Sequence, residues 1–224
     1  MRSLPETSPL RVAAREVVAQ IDALLEPVVP WYKRVTERGV HDYYEWYYAY
    51  GRILRPRSIL EIGVLGGGSV VALCLGAGEG MVRQVHLVDD ESASEKWKLA
   101  DAATAVRAVA PACEVTIFAG ADAGDSQRLA VLPAGPVFDV ISIDADHRVG
   151  PCYHDLRISL PRLAADGHVL VDDAQWSWVR DAVDAFTADR PALDDLFVAT
   201  KTGTRILHGS GEHLLRCPLL AEVV

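Results

Sequence analysis

The chain changes its hydrophobic period near residue 56. Before that point, apolar side chains recur at helical spacing. Val12, Val17, Val18, Ile21, Leu24 and Leu25 share roughly one stripe over residues 9–26, and Pro27 and Pro30 close it. In residues 41–54, HDYYEWYYAYGRIL, helical spacing links Tyr43, Tyr47, Tyr50 and Leu54, and separately Tyr44 and Tyr48. Pro56 biases Arg55 away from helix and marks the boundary. Beyond it, short β-type runs alternate with longer helical ones. Strands are predicted over 58–62, 85–88, 114–118, 138–143 and 168–171. Helices are predicted over 68–77, 92–109, 152–164 and 176–188, and the stretch around 124–130 is too short to assign. Such alternation predicts an α/β fold, a parallel sheet with helices on both faces. Two last β-type runs, 196–200 and 205–208, are joined by residues 201–204 with Gly203, a hairpin signal.

Composition narrows the function classes. Half of the 224 residues are hydrophobic and 24% are charged, enough apolar side chain to exclude a mainly disordered chain. The net charge of −9 argues against a nucleic-acid binder, because phosphate binding draws on a basic surface, and against docking on anionic membrane. No apolar run approaches the roughly 20 residues of a membrane span. The first ten residues carry Pro5, Glu6 and Pro9 and lack the apolar stretch of a secretion signal. Cys74, Cys113, Cys152 and Cys217 form no CxxC pair. The expectation is a cytoplasmic protein with reduced thiols and no nucleic-acid or membrane partner.

The first predicted strand runs into LEIGVLGGGS, residues 60–69. Glycines at a strand-to-helix turn let a ligand approach the backbone, and the helix start offers free N–H groups. A plain tight turn is the alternative. The glycines Gly63, Gly66, Gly67 and Gly68 do not fit the dinucleotide pattern G-x-G-x-x-G, since Leu65 stands where its second glycine belongs. Glu61 at the strand end disfavours pyrophosphate and favours a cationic ligand. The second strand ends in Asp89-Asp90, placed to bond ribose hydroxyls or simply to cap the next helix. The third is followed by Gly120-Ala121-Asp122, with the acid positioned for an adenine amino group. This E-x-G-x-x-x-G loop, acidic second strand end and G-A-D turn resemble class I S-adenosylmethionine-dependent methyltransferases, over about residues 57–210. The resemblance implies a Rossmann-like seven-stranded mixed sheet of order 3-2-1-4-5-7-6 ending in a hairpin, preceded by an N-terminal helical extension. It also implies S-adenosylmethionine held by Glu61, Gly63, Leu65, Gly67, Ser69, Asp89, Asp122 and Asp144.

A second constellation carries chemistry. FDVISIDADH, residues 138–147, puts Asp144 at the end of the fourth strand, and GHVLVDDAQW, residues 167–176, puts Asp172 and Asp173 at the end of the fifth. On neighbouring strands these ends lie about 5 Å apart. Carboxylates that close repel unless protonated or bridged by a cation, and all-oxygen ligands select Mg²⁺, Mn²⁺ or Ca²⁺. The alternative is a helix cap with the other acids facing water. The pattern Asp-Ala-Asp, a basic residue, Tyr153-His154, then Asp172-Asp173 with Trp176 resembles metal-dependent catechol and caffeoyl-CoA O-methyltransferases. That likeness implies Asp144, Asp172 and Asp173 as ligands of Mg²⁺, with Mn²⁺ or Ca²⁺ as substitutes. Two departures, His147 for the family's lysine and Asp173 for its asparagine, look like O-methyltransferases acting on macrolide sugars, where a histidine is the base. His147 is therefore the catalytic candidate, against the alternative of a solvated turn histidine.

The aromatic segment is either core and dimer packing or a pocket wall over the acceptor. Tyr44, Tyr47, Tyr48 and, opposite them, Trp176 are its substrate candidates. By resemblance, residues 1–56 form a lid or dimerisation segment on a methyltransferase core of residues 57–224. The expected protein is a homodimer or larger homo-oligomer. Its expected activity is Mg²⁺-dependent transfer of a methyl group to a small hydroxylated acceptor, a catechol or sugar diol. The composition, rich in Ala, Arg and Asp, together with the likeness suggests natural-product tailoring. Two rivals stay open: a hydroxylase-like relative that binds the same cofactor, and a non-catalytic binding protein.

Overall fold

The computed structural model describes residues 2–29, 43–91, 98–120, 132, 134–135, 137–198 and 203–209. The elements in chain order are β1 (Arg2–Ser3), α1 (Pro9–Val17), α2 (Ile21–Leu25), α3 (Tyr44–Leu54), β2 (Ser58–Ile62), α4 (Gly68–Ala77), β3 (Gln84–Asp89) and α5 (Leu99–Val109). They continue with β4 (Glu114–Ala119), β5 (Phe138–Ile143), α6 (Val149–Ser159), β6 (Leu163–Val171), α7 (Ser177–Ala188), β7 (Leu193–Val198) and β8 (Thr204–Gly209). The sheet runs β1-β7-β8-β6-β5-β2-β3-β4. Without β1 this is the expected seven-stranded order 3-2-1-4-5-7-6, with β8 antiparallel to both β6 and β7. The two-residue β1, which the sequence reading lacks, adds to the edge parallel to β7.

Local chemistry accounts for the element ends. The Ser8 side chain caps α1 by accepting from the Arg11 N–H at 3.3 Å, and Pro9 opens the helix. The stripe predicted as one helix over 9–26 is split by a turn at 18–20: Val17, Ile21 and Leu25 are buried, whereas Val12 and Val18 are exposed. The helix expected over 152–164 spans Val149–Ser159 instead. Pro161 lacks an N–H, so the chain tightens into a 3₁₀ turn at Leu160–Arg162 and β6 begins at Leu163. Of the helix expected over 92–109, residues 92–97 lie outside the described residues, as do Pro30, His41, residues 124–130, Cys217 and Asp122.

Successive strand residues face opposite layers. Ile59, Val85, Leu87, Val140 and Leu170 pack under α1 to α5. Leu60, Ile62, Ile141, Ile143 and Val169 pack against α6 and α7. The described part of residues 1–56 thus shares its core with the domain it precedes. Arg205 on β8 is buried between Asp195 of β7 and Asp184 of α7, tying the hairpin to that helix.

Helices α3 and α4 touch backbone to backbone. A Cβ on Gly51 would lie 2.1 Å from the Leu73 carbonyl oxygen, and one on Gly76 would lie 2.0 Å from that of Tyr48. Gly51→Ala and Gly76→Ala are therefore each expected to cost about 1–3 kcal/mol or more. Gly150, exposed at the start of α6 with open space around its Cα, should accept alanine neutrally or with a gain of up to about 1 kcal/mol. Urea unfolding of the three variants reads both signs.

Candidate active site

The parallel strands β3, β2, β5 and β6 end in register. Ile62 pairs with Val88 and Ile143, and Ile143 pairs with Val171. The hydrogen bonding continues one step past the ladder: Gly63 N–H donates to Val88, Asp144 N–H to Ile62 and Asp172 N–H to Ile143, at 2.9–3.0 Å. Asp89, Gly63, Asp144 and Asp172 consequently stand in a row along one edge. A Cβ on Gly63 would meet the Asp144 carbonyl oxygen at 2.1 Å, so glycine there lets the two turns pass.

Glu61 points into the protein at the base of the glycine loop and is fully buried. Its Oε1 accepts from the Ser69 hydroxyl, while Oε2 has no partner. Burial pushes its pKa up to about 8. Above it, Asp89 shapes the loop: Oδ2 accepts from the Val64 and Leu65 N–H groups at 2.7 and 3.0 Å, and Oδ1 accepts from Glu91 N–H at 2.6 Å. Three of roughly four acceptor positions are thereby filled. Leu65, half exposed, and Gly67, which caps α4, both have left-handed φ, 45° and 72°. The N–H groups at the start of α4, which no side chain caps, fit a ligand's acceptor or negatively charged group.

Among the described residues, one cluster can hold a metal ion: Asp144, His147 and Asp173. His147 Nε2 lies 3.4 Å from Asp144 Oδ1 and 3.0 Å from Asp173 Oδ2. Asp173 reaches inward from a left-handed φ of 53°, an uncommon conformation for a residue other than glycine. Hydrogen bonds to Asp144 and Asp173 push the His147 pKa up to about 10, so with no other cation present the imidazolium is the counter-charge. Asp172, expected beside them, is instead buried against β8 and accepts from Thr204 Oγ1 at 3.3 Å. Two carboxylates in a partly exposed cluster fit a hard divalent cation such as Mg²⁺ or Mn²⁺.

The aromatic walls are placed unevenly. Trp176, 51% exposed, stands edge-on to His147 with ring centroids 4.9 Å apart. Tyr44 lies against Gly68 at the start of α4, where a Cβ would meet its hydroxyl at 2.6 Å. Tyr47 is fully buried and Tyr48 half-buried against the core, so neither ring opens to an acceptor as expected. The sequence reading missed Tyr43, whose hydroxyl donates to Asp144 Oδ2 at 2.8 Å. Its phenol is held well above the ordinary range by burial and Asp144, and so stays a donor. The helical spacing of Tyr43, Tyr47 and Tyr50 was the available signal.

A family model described as a methyltransferase domain matches residues 60–174, just over half of the chain and the span holding Glu61, Asp89, Asp144, His147 and Asp173. The chain belongs to this methyltransferase family. No curated protein matches its sequence. Among solved structures, an O-methyltransferase from Bacillus cereus in complex with SAH is 22% identical, covers 88% of this chain and 90% of its own, and has a TM-score of 0.56. The SAH-bound methyltransferase PaMTH1 of Podospora anserina is 19% identical, covers 88% of each chain and scores 0.55. TomG from Streptomyces achromogenes, an O-methyltransferase of tomaymycin synthesis in complex with SAM, is 17% identical, covers 93% and 92%, and scores 0.57. The family match and the shared fold bear out the resemblance to class I methyltransferases. No described helix of this methyltransferase is long and apolar enough to cross a membrane.

Two outcomes test the cofactor side. Asp89→Ala removes the acceptor of two loop amides and should weaken S-adenosylhomocysteine binding about tenfold or more by calorimetry. Glu61 keeps its proton in the fold up to about pH 8 but ionises near 4.5 when unfolded. Between those values unfolding releases a proton, so this group's contribution to stability falls as pH rises. Glu61→Gln should gain on the wild type from pH 5 to pH 8, by at most about 1.4 kcal/mol per unit. Parallel melting curves for the two proteins would contradict the buried protonated carboxyl.

Proposed function

We propose that this methyltransferase moves the methyl group of S-adenosylmethionine to a hydroxyl of a vicinal diol, catechol-like or on a sugar, with a divalent cation beside the acceptor. The observation that carries the proposal is the convergence of Asp144, His147 and Asp173 at the strand ends next to the glycine loop. Asp144 and Asp173 would hold Mg²⁺ or Mn²⁺, with Asp172 behind them. When bound, the cation supplies positive charge at the acceptor oxygens and lowers the hydroxyl pKa.

The chain's own residues do the rest. Glu61, Asp89 and the N–H groups at the start of α4 would hold the cofactor. His147 would take the acceptor's proton at Nε2 if a cation, in place of the imidazolium, offset the charge of Asp144 and Asp173. Trp176, edge-on to His147, walls the acceptor plane. Positioning supplies much of the acceleration, because oxygen, sulfonium methyl and base need only align.

The test is a methyl-transfer assay with a panel of catechols and glycosides, read by product mass. EDTA should abolish transfer, and Mg²⁺ or Mn²⁺ should restore it. His147→Ala should lower kcat about 10²–10⁴-fold while S-adenosylhomocysteine affinity changes little. Full activity in chelator would sink the cation, and near-wild-type kcat in His147→Ala would sink the base.

A further inference from the structure

Helix α3 turns its tyrosines toward the row of carboxylates. Tyr43 Oη donates to Asp144 Oδ2 at 2.8 Å. Further along the helix, Tyr47 and Tyr50 are fully buried. The backbone contacts at Gly51 and Gly76 fix how far α3 stands from α4, and hence where these hydroxyls fall. Tyr43 is further braced by Tyr44 and Tyr47, with ring centroids 4.9 and 5.3 Å away.

The two oxygens of Asp144 therefore have separate partners. Oδ2 is tied to α3, while Oδ1 is the one that His147 Nε2 approaches at 3.4 Å. We propose that Tyr43 is a positioning residue: by holding Oδ2 it aims Oδ1 into the space shared with His147 and Asp173, and so sets the affinity of that space for a divalent cation. The inference rests on the cation reading above and adds to it a residue outside the matched region 60–174. The hydroxyl rather than the ring should matter. Without a donor the carboxylate can rotate, and its two oxygens then compete for the same partners. Outer-shell hydrogen bonds of this kind typically govern metal affinity about 10–100-fold.

The experiment titrates Mn²⁺ into the full chain and follows free Mn²⁺ by electron paramagnetic resonance, for wild type, Tyr43→Phe, Tyr43→Gln and Tyr43→Met. Tyr43→Phe should weaken Mn²⁺ binding about tenfold or more while leaving S-adenosylhomocysteine affinity unchanged. Tyr43→Gln, which restores a donor without the ring, should bind Mn²⁺ more tightly than Tyr43→Met. That second comparison decides the matter alone if Tyr43→Phe does not fold. Equal Mn²⁺ affinity in wild type and Tyr43→Phe overturns the positioning role. So does an equal loss in the Gln and Met variants, which would assign the effect to ring packing. A wild type that takes up no Mn²⁺ overturns the cation reading itself, and this role with it.

Discussion

Four parallel strands ending in register impose the constraint on which the rest of this site depends. The register puts Glu61, Asp89, Asp144, Asp172 and Asp173 along one edge of the sheet. Carboxylates gathered in a partly buried space repel, and each must be protonated, hydrogen-bonded or paired. The structure uses a different device for each. Glu61 stays protonated through burial. Asp89 spends its charge on three backbone N–H groups. Asp172 leans on Thr204, and Asp144 and Asp173 share the imidazole of His147. That last pair shares a side chain that can itself carry positive charge.

Helix packing delivers the second half of the site. Glycines at positions 51 and 76 let α3 and α4 approach to backbone contact. Larger residues would hold α3 away from the sheet and withdraw the Tyr43 hydroxyl from Asp144. The same contact presses Tyr47 and Tyr50 into the core beneath the strand ends. A segment that reads as a lid is thus, in helix α3, part of the core.

Backbone strain marks the same places. Four described residues other than glycine have positive φ: Arg55, Leu65, Glu91 and Asp173. Three of them stand at the ends of β2, β3 and β6, where the chain turns sharply to present loop amides or a carboxylate. Conformations of that kind persist where surrounding bonds over-determine them. Asp89 does so for Leu65 and Glu91, by accepting from both of their N–H groups.

The sequence alone determined the sheet, its order through resemblance, and most of the polar residues that meet at the strand ends. β2, β5 and α4 begin and end where the hydrophobic runs and glycines place them, because a strand buried on both faces is largely apolar and left-handed turns favour glycine. Asp144, His147 and Asp173 were legible because each closes or follows such a run. The orientation of side chains at equal sequence distance was not legible. Asp172 and Asp173 are neighbours, yet a left-handed turn at Asp173 sends one carboxylate to His147 and leaves the other on Thr204. Tyr43, Tyr44 and Tyr47 likewise share one segment, and only the helix–helix contact at Gly51 and Gly76 decides which reaches a carboxylate. Periodicity specifies which face of an element is buried, whereas the partner of each polar atom depends on distances between elements far apart in the chain, and those exist only once the core has closed.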